Sequence, residues 1–527
     1  MKKLLTTLLA VILLVMTCTT GLVEAEKTAF TVLTVRWTSD WPIDFLKDGV
    51  MAQLEEQAGV DITWDVRYYG DWSEQKSLLL ASPDSLPDAF FGSICLNATD
   101  ISQNSPYFID LTPYITPEIM PNLCAAFEAE PALKAICTSR DGNIYSLPKK
   151  LPLRPLVCGY DMYVNKDFLN ALEMEVPTNL DELYAYLVAC GTQDPDGDGD
   201  PSNTYGVTGS ASSNKMSDDC RYILRNFGCM VSRDGNYMGL NGEGALVFVP
   251  TTENYKLGVK WMNGLWKDGG IDSEYFTQDG STSSSKLKNP GGSQAGAVFS
   301  WSQDSEVGNN VDQFMVTEAI EGYDGVRYVE AAAYYLDLSD RELLITTKCA
   351  NPEAVLRWAD GFYTDLVSMQ TFYGSIPSQI ADNGDGTYTV LVPTDGSSLD
   401  TSAWSHSVRD FGPKFMKPEF YGKVSLPSDQ GDGIKLGQDA LNGKYVTYDK
   451  NVGMPLVQYT EEELSEIAAL SMDLKSFVEL KYANWVTGLE DIDADWDAYI
   501  AQLNAMGLER YVELQTQAYE AYLESMK

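Results

Sequence analysis

Along the N-terminal part of the chain the hydrophobic positions switch repeatedly between the period of a strand and that of a helix. The β-branched run AFTVLTVRW (Ala29 to Trp37) reads as a strand, and FLKDGVMAQLEEQAG (Phe45 to Gly59) has helical spacing through Leu46, Val50 and Leu54, ending near Gly59. DITWDVRYYG returns to strand, WSEQKSLLLAS to a short helix, and PDAFFG is a buried strand. This β-α-β-α-β rhythm predicts a parallel sheet with helices on its faces, which puts ligands at the carboxyl ends of the strands. Those ends fall at Trp37 to Trp41, Tyr68 to Trp72, and Gly92 to Ser93.

A second unit begins near Gly159. VPTNLDELYAYLVACGTQ is a helix opened by Thr178, with Asp181 three residues on. TYGVTGS reads as a strand, TTENYKLGVKWMNGLWKDGGI as a helix ending at Gly269-Gly270, and AGAVFSW as a buried strand delivering Ser300 to Trp301. The Ser/Gly-rich GSTSSSKLKNPGGSQ (Gly280 to Gln294) reads as a flexible connection. AAAYYLDLSDRELLITTKC follows as two extended pieces around Leu338-Ser339, NPEAVLRWADGFYTDL as a helix started by Pro352, and ADNGDGTYTVLV as a hairpin. From Thr460 the tail is helical, with Trp496, Tyr499, Ile500, Leu503 and Met506 spaced for one buried face.

Composition narrows the class. Two lysines precede an apolar run from Leu4 to Met16, too short to span a bilayer, which is an export signal. Two endings compete for it: Cys18 sits where a lipoprotein cysteine would, although Thr17 departs from the usual Gly, Ala or Ser, while Val23-Glu24-Ala25 has the small residues that a soluble-type signal peptidase reads. Either way the mature protein is expected outside the cytoplasm, lipid-anchored or secreted. A net charge of −39, with 76 acidic against 37 basic residues, argues against nucleic acid and anionic membrane surfaces. His406 is the only histidine, which removes most Ser-His, Cys-His and multi-His metal chemistries. The cysteines besides Cys18 form no C-x-x-C pair, so zinc is not indicated, and disulfides compete with buried thiols.

Candidate chemistry lies in three places. Trp37, Trp41, Tyr69 and Trp72 follow the first strands, and Trp301 follows AGAVFS; such rings can stack on the apolar face of a pyranose. Tyr160, Tyr163, Tyr334, Tyr335, Tyr373 and Trp404 read as structural instead. Arg154, in PKKLPLRPL beside Lys149 and Lys150, can present a guanidinium to sugar hydroxyls or pair with carboxylates. QDPDGDGDPSNTYG places Asp194, Asp196 and Asp198 at positions 1, 3 and 5 of a cation loop, Gly199 at 6 and the backbone of Asp200 at 7, but Tyr205 stands at 12, where an EF-hand has glutamate. No nucleophile elbow, phosphate loop or H-E-x-x-H occurs, although so many acidic residues leave a carboxylate pair open.

The segments VNKDFLNALEMEVPTNLDELYAYLVACGTQDPDGDGD, LWKDGGIDSEYFT and VTGLEDIDADWDAYIAQLNAMGLERYVELQTQAYEAY, in this order and spacing, resemble the oligosaccharide-type branch of extracellular solute-binding proteins (family 1) of bacterial ABC transporters. The resemblance runs from about Thr28 to the C-terminus. It implies an α/β, two-lobed clamp with long C-terminal helices, working as a monomer that binds an oligosaccharide between its lobes and passes it to a membrane permease. It also implies a structural calcium (Ca2+) loop completed at positions 9 and 10, which are Ser202 and Asn203 here. The lobes are expected at 26–155 plus about 300–345, and at 156–299 plus about 346–460. Residues 1–25 form the signal peptide and 461–527 a C-terminal helical segment. The competing readings are a secreted carbohydrate-active enzyme using paired carboxylates and an adhesive surface protein.

Overall fold

The computed structural model describes residues 27–151, 161–210, 219–231, 236–241, 244–300, 303–329, 338–428, 430–445 and 454–526. The leader with Cys18, Arg154 and Trp301 lie outside the described residues.

The first lobe is built on the sheet β2-β1-β3-β10-β4, formed by β1 (Thr28–Arg36), β2 (Val60–Tyr68), β3 (Ala89–Phe91), β4 (Ser146–Lys150) and β10 (Leu338–Ile345). β1 pairs in parallel with β2 and β3, and β10 runs antiparallel to β3 and β4. Both faces of β1 are covered, which is why its hydrophobic run is continuous. Phe30 and Val32 face a core with Val50, Met51 and Leu54 of the helix Gly49–Ala58, whereas Leu33 and Val35 face Trp72 and Phe90. Gly59 ends that helix at φ 67°, a left-handed position that costs glycine little.

The second lobe holds the antiparallel sheet β8-β5-β9, formed by β5 (Asp161–Asn165), β8 (Ala297–Ser300) and β9 (Phe314–Val316), and the hairpin of β6 (Met238–Leu240) and β7 (Leu246–Phe248). Met162 and Val164 bury against Leu183 and Leu187, in the same core as Leu474, Tyr482, Trp485 and Tyr499 of the C-terminal helices. A smaller sheet of β11 (Ile380–Asp382), β12 (Tyr388–Val390) and β13 (Val424–Ser425) packs with Phe372, Leu399 and Leu151 beside the first lobe. The helix Gly431–Asn442 then returns to the second lobe, where Lys435 Nζ meets Asp161 Oδ2 at 2.7 Å and Asn442 donates to Asp161 Oδ1 at 2.8 Å.

Several expectations are corrected. β9 pairs with β5 and so belongs to the second sheet, and among the described residues of the 300–345 stretch only β10 joins the first. Trp358, Ala359 and Phe362 are buried in the first-lobe core, against the assignment of 346 onward to the second lobe. Hydrophobic spacing marks which face is buried but not which sheet it is buried against. The Ser/Gly-rich stretch forms the helix Gly280–Leu287, because Asp279 caps it by accepting from Thr282 N and Leu287 is buried. TYGVTGS makes only single bridges, Tyr205 with Ala295 and Val207 with Ile271. The helix Leu180–Thr192 is capped by Asn179 rather than Thr178, whose hydroxyl donates to Glu182 instead.

Candidate ligand-binding site

β1 delivers Arg36 and then Trp37 to the carboxyl edge of the first sheet. The turn after β3 approaches this edge at Gly92 (φ 103°), where an added Cβ would lie 3.0 Å from Phe411 Cβ. Gly412 (φ 83°) lies closer still to the strand, since a Cβ there would fall 2.0 Å from the ring of Phe91. The segment after the helix Leu399–His406 is thereby laid across the ends of β1 and β3.

An aromatic cluster forms where these segments meet. Trp37 and Tyr69 have ring centroids 4.8 Å apart and are 45% and 55% exposed. Beneath them Phe411 lies 5.9 Å from Trp37 and 5.7 Å from Trp404. Trp41, half-buried, stacks on buried Trp404 at 5.1 Å with planes 12° apart. Of the four rings singled out after the first strands, three gather here. Trp72 does not: it is buried, and its indole N–H donates to the carbonyl of Cys95 at 2.7 Å, so its amphipathic ring is satisfied inside the core. Trp404, read from the sequence as structural, and Phe411, whose spacing carries no signal, complete the cluster. Tyr163 and Tyr373 are buried.

Charges are paired beneath the rings. Lys149 meets Glu342 at 2.8 Å, with both side chains almost fully buried. Burial pushes the Glu342 carboxyl up, but Lys149, with Ser339 and Lys414, more than offsets this and holds it below the usual range. Lys414, wholly buried, donates to the carbonyl of Phe411; burial, with Lys149 nearby, pushes its ammonium down to about 7. Arg409, at φ 49°, donates to Asp432 at 2.8 Å and to Asp400 at 3.1 Å, and lies 3.8 Å from the ring centre of Phe372. Asp432 and Asp400 hold this guanidinium charged against the cost of burial.

The acidic loop lies on the second lobe, after the helix Leu180–Thr192. One carboxylate oxygen each of Asp194, Asp196 and Asp198 converge within 4.8 Å of one another. Gly197 (φ 72°) and Gly199 (φ 91°) make the turn, and Gly199 N donates to Asp194 Oδ2 at 2.9 Å. Burial pushes the Asp196 carboxyl up, and the neighbouring Asp194 and Asp198 act in the same direction. Asp194 Oδ1 and Asn203 Oδ1 are buried without a donor, which suits a cation. The Asp200 carboxylate accepts from Ser202 N at 3.0 Å and Ser202 Oγ at 2.6 Å, so position 7 is left to offer its backbone carbonyl. Cys95, Cys124, Cys137, Cys190, Cys229 and Cys349 are free thiols. Among the described residues no helix is long and apolar enough to cross a membrane.

Two mixed α/β lobes joined by several crossings, with aromatic rings at the strand ends of one lobe, make up a fold shared with two-lobed solute-binding proteins. No family model matches the chain. It is similar, at 28% identity over 484 residues (90% of this chain and 87% of the relative), to the fructooligosaccharide ABC transporter substrate-binding protein FusA of Streptococcus pneumoniae. Its fold matches the HMO-binding ABC-transporter-associated solute-binding protein of Bifidobacterium longum infantis, with TM-score 0.79 and 22% identity over 94% of this chain and 99% of that one. It also matches the S. pneumoniae FusA EF-hand mutant in complex with fructo-nystose, with TM-score 0.77 and 24% identity over 94% and 100%. The resemblance to ABC-transporter solute-binding proteins read from the sequence thus holds across the chain.

Proposed function

We propose that this chain is the substrate-binding component of an ABC importer, exported from the cell, which captures an oligosaccharide between its lobes and delivers it to a membrane permease. The observation that carries this reading is the pair of exposed rings, Trp37 and Tyr69, at the strand ends of a fold shared with oligosaccharide-binding relatives. Exposed aromatic faces stack on the apolar faces of sugar rings, and closure of the lobes removes both from water. Trp37, Tyr69 and Trp41 supply the first-lobe wall, with Trp404 and Phe411 as its floor. Arg154 and Trp301 are proposed to complete the site, and Trp72 is left out of it.

Calcium is proposed at the acidic loop, held by Asp194, Asp196 and Asp198, with the backbone of Asp200 and the neutral oxygens of Ser202 and Asn203 completing the set. There it would neutralise the converging carboxylates and fix the loop on the second lobe, a structural role rather than a chemical one. Cys18 is proposed as the lipid anchor if cleavage precedes it. In this proposal the protein acts as a monomer, without nucleic acid and without catalysis; the name of its relative FusA, a substrate-binding protein, supports a binding role.

The test is calorimetric titration with a panel of oligosaccharides, fructo-oligosaccharides included, coupled to chromatography of the sugar recovered. Binding with the sugar returned intact supports transport, whereas shortened products would establish the enzyme reading instead.

A further inference from the structure

Arg36 is the last residue of β1 and is 2% exposed, and among the described residues no carboxylate lies within ion-pair distance of it, in a chain carrying 76 acidic residues. A buried cation without a counter-ion is costly and persists only where other groups compensate. Here three rings surround the guanidinium, with their centres 5.1 Å (Phe45), 5.6 Å (Trp404) and 6.0 Å (Trp41) from its central carbon. One Nη donates to the carbonyl of Trp404, the other to that of Ser407 at 3.1 Å, and Nε has no acceptor. Burial lowers the guanidinium to about 10, so it stays charged at neutral pH.

These contacts join two parts of the chain that sequence does not connect. The strand exit carrying Trp37 and Trp41 lies on one side of Arg36. The helix end carrying Trp404, from which the chain runs to Phe411, lies on the other. Only a planar, forked donor can meet two carbonyls while its faces lie against rings; an ammonium is a point charge with neither property. We propose that Arg36 is a positioning residue for the aromatic platform, holding the helix end of Trp404 against β1 so that Trp41 stacks on Trp404 beside Trp37. This deepens the proposed sugar site and rests on it.

The experiment compares the full mature chain with Arg36→Lys, Arg36→Met and Phe45→Leu. Trp404→Phe supplies the reference spectrum in which the stack is absent. Two stacked indoles give an exciton couplet in circular dichroism, which a general loss of stability in a folded protein would not remove. Both Arg36 variants are expected to lose the couplet to the level of Trp404→Phe and to bind fructo-oligosaccharide at least tenfold more weakly. Phe45→Leu, which removes one ring of the cage and none of the hydrogen bonds, should weaken the couplet in part. If Arg36→Met does not fold, Phe45→Leu decides: an unchanged couplet there overturns the proposal. Full recovery of couplet and affinity in Arg36→Lys overturns it too. Trp37→Ala separates the two readings, because undiminished sugar binding there defeats the ligand assignment and leaves the couplet alone to judge Arg36.

Discussion

Arg409 donates to Asp432 across 2.8 Å with both side chains buried, tying the loop beneath the aromatic cluster to the first turn of the helix Gly431–Asn442. That helix docks on β5 of the second lobe through Lys435 and Asn442. The pair therefore joins a first-lobe loop to a helix that docks on the second lobe. Removing Asp432 leaves the Arg409 guanidinium only the half-exposed Asp400, so the loss should be part of what a wholly uncompensated buried charge costs, about 1–3 kcal/mol. Asp432→Ala should lose that much in urea unfolding, and a loss below about 1 kcal/mol would show that water reaches the pair.

Trp37 and Tyr69 are exposed and Trp72 is buried, so their substitutions should separate by readout. Trp37→Ala and Tyr69→Ala are expected to weaken oligosaccharide binding about tenfold or more, equivalent to ~1.4 kcal/mol, with stability within about 0.5 kcal/mol of the parent. Trp72→Phe strands the buried carbonyl of Cys95 and should cost about 1–3 kcal/mol of stability at unchanged affinity. Calorimetric titration and denaturation of the three proteins check this. Affinity lost in Trp72→Phe alone would reverse the assignment.

The acidic loop should bind calcium with the modest affinity of an extracellular module. With dissociation constants of about 0.1–1 mM, 1 mM calcium would stabilise the protein by roughly 0.4–1.4 kcal/mol. Asp196→Ala should abolish this increment, leaving sugar affinity at saturating concentration nearly intact. Thermal unfolding with calcium and with chelator measures it, and equal calcium shifts in parent and variant would remove the site.

Lys414 makes stability depend on pH in a particular direction. Its ammonium titrates at about 7 when folded and at about 10.4 when unfolded, so between these values the unfolded chain holds the extra proton. Stability contributed by this group therefore rises with pH across that window, by up to a few kcal/mol. Lys414→Met deletes the group, so the difference in unfolding free energy between parent and variant should grow in the parent's favour from pH 7 to pH 9. A flat difference would mean that Lys414 titrates normally.

Much of the first lobe was legible because its signals are local. β1, β2 and β3 and the helices Gly49–Ala58 and Tyr69–Leu80 fall where period and turn residues put them, and Thr460 caps the long helix Glu461–Thr487 as its side chain chemistry requires. The acidic loop was equally legible, since its carboxylates lie within a few residues of one another. The Gly280–Leu287 helix was not, because composition suggested flexibility while one Asp279 cap and buried Leu287 decided the outcome. Among the aromatic residues, the structure gathers Trp37, Trp41 and Tyr69, all placed after strands, into one cluster, whereas Trp72 turns inward on its helix.

By itself the sequence determined the alternation of strands and helices, the acidic turn and the family likeness, because these depend on residues close together in the chain and on which face of an element is apolar. Only the tertiary structure decided which sheet each piece joins, that β9 belongs with β5, and that Trp404 and Phe411 lie under Trp37 and Trp41. Those outcomes depend on contacts between distant segments. Arg36 shows why: its meaning lies in two carbonyls and three rings, all supplied by four residues it does not adjoin in sequence and none of which leaves a periodic trace.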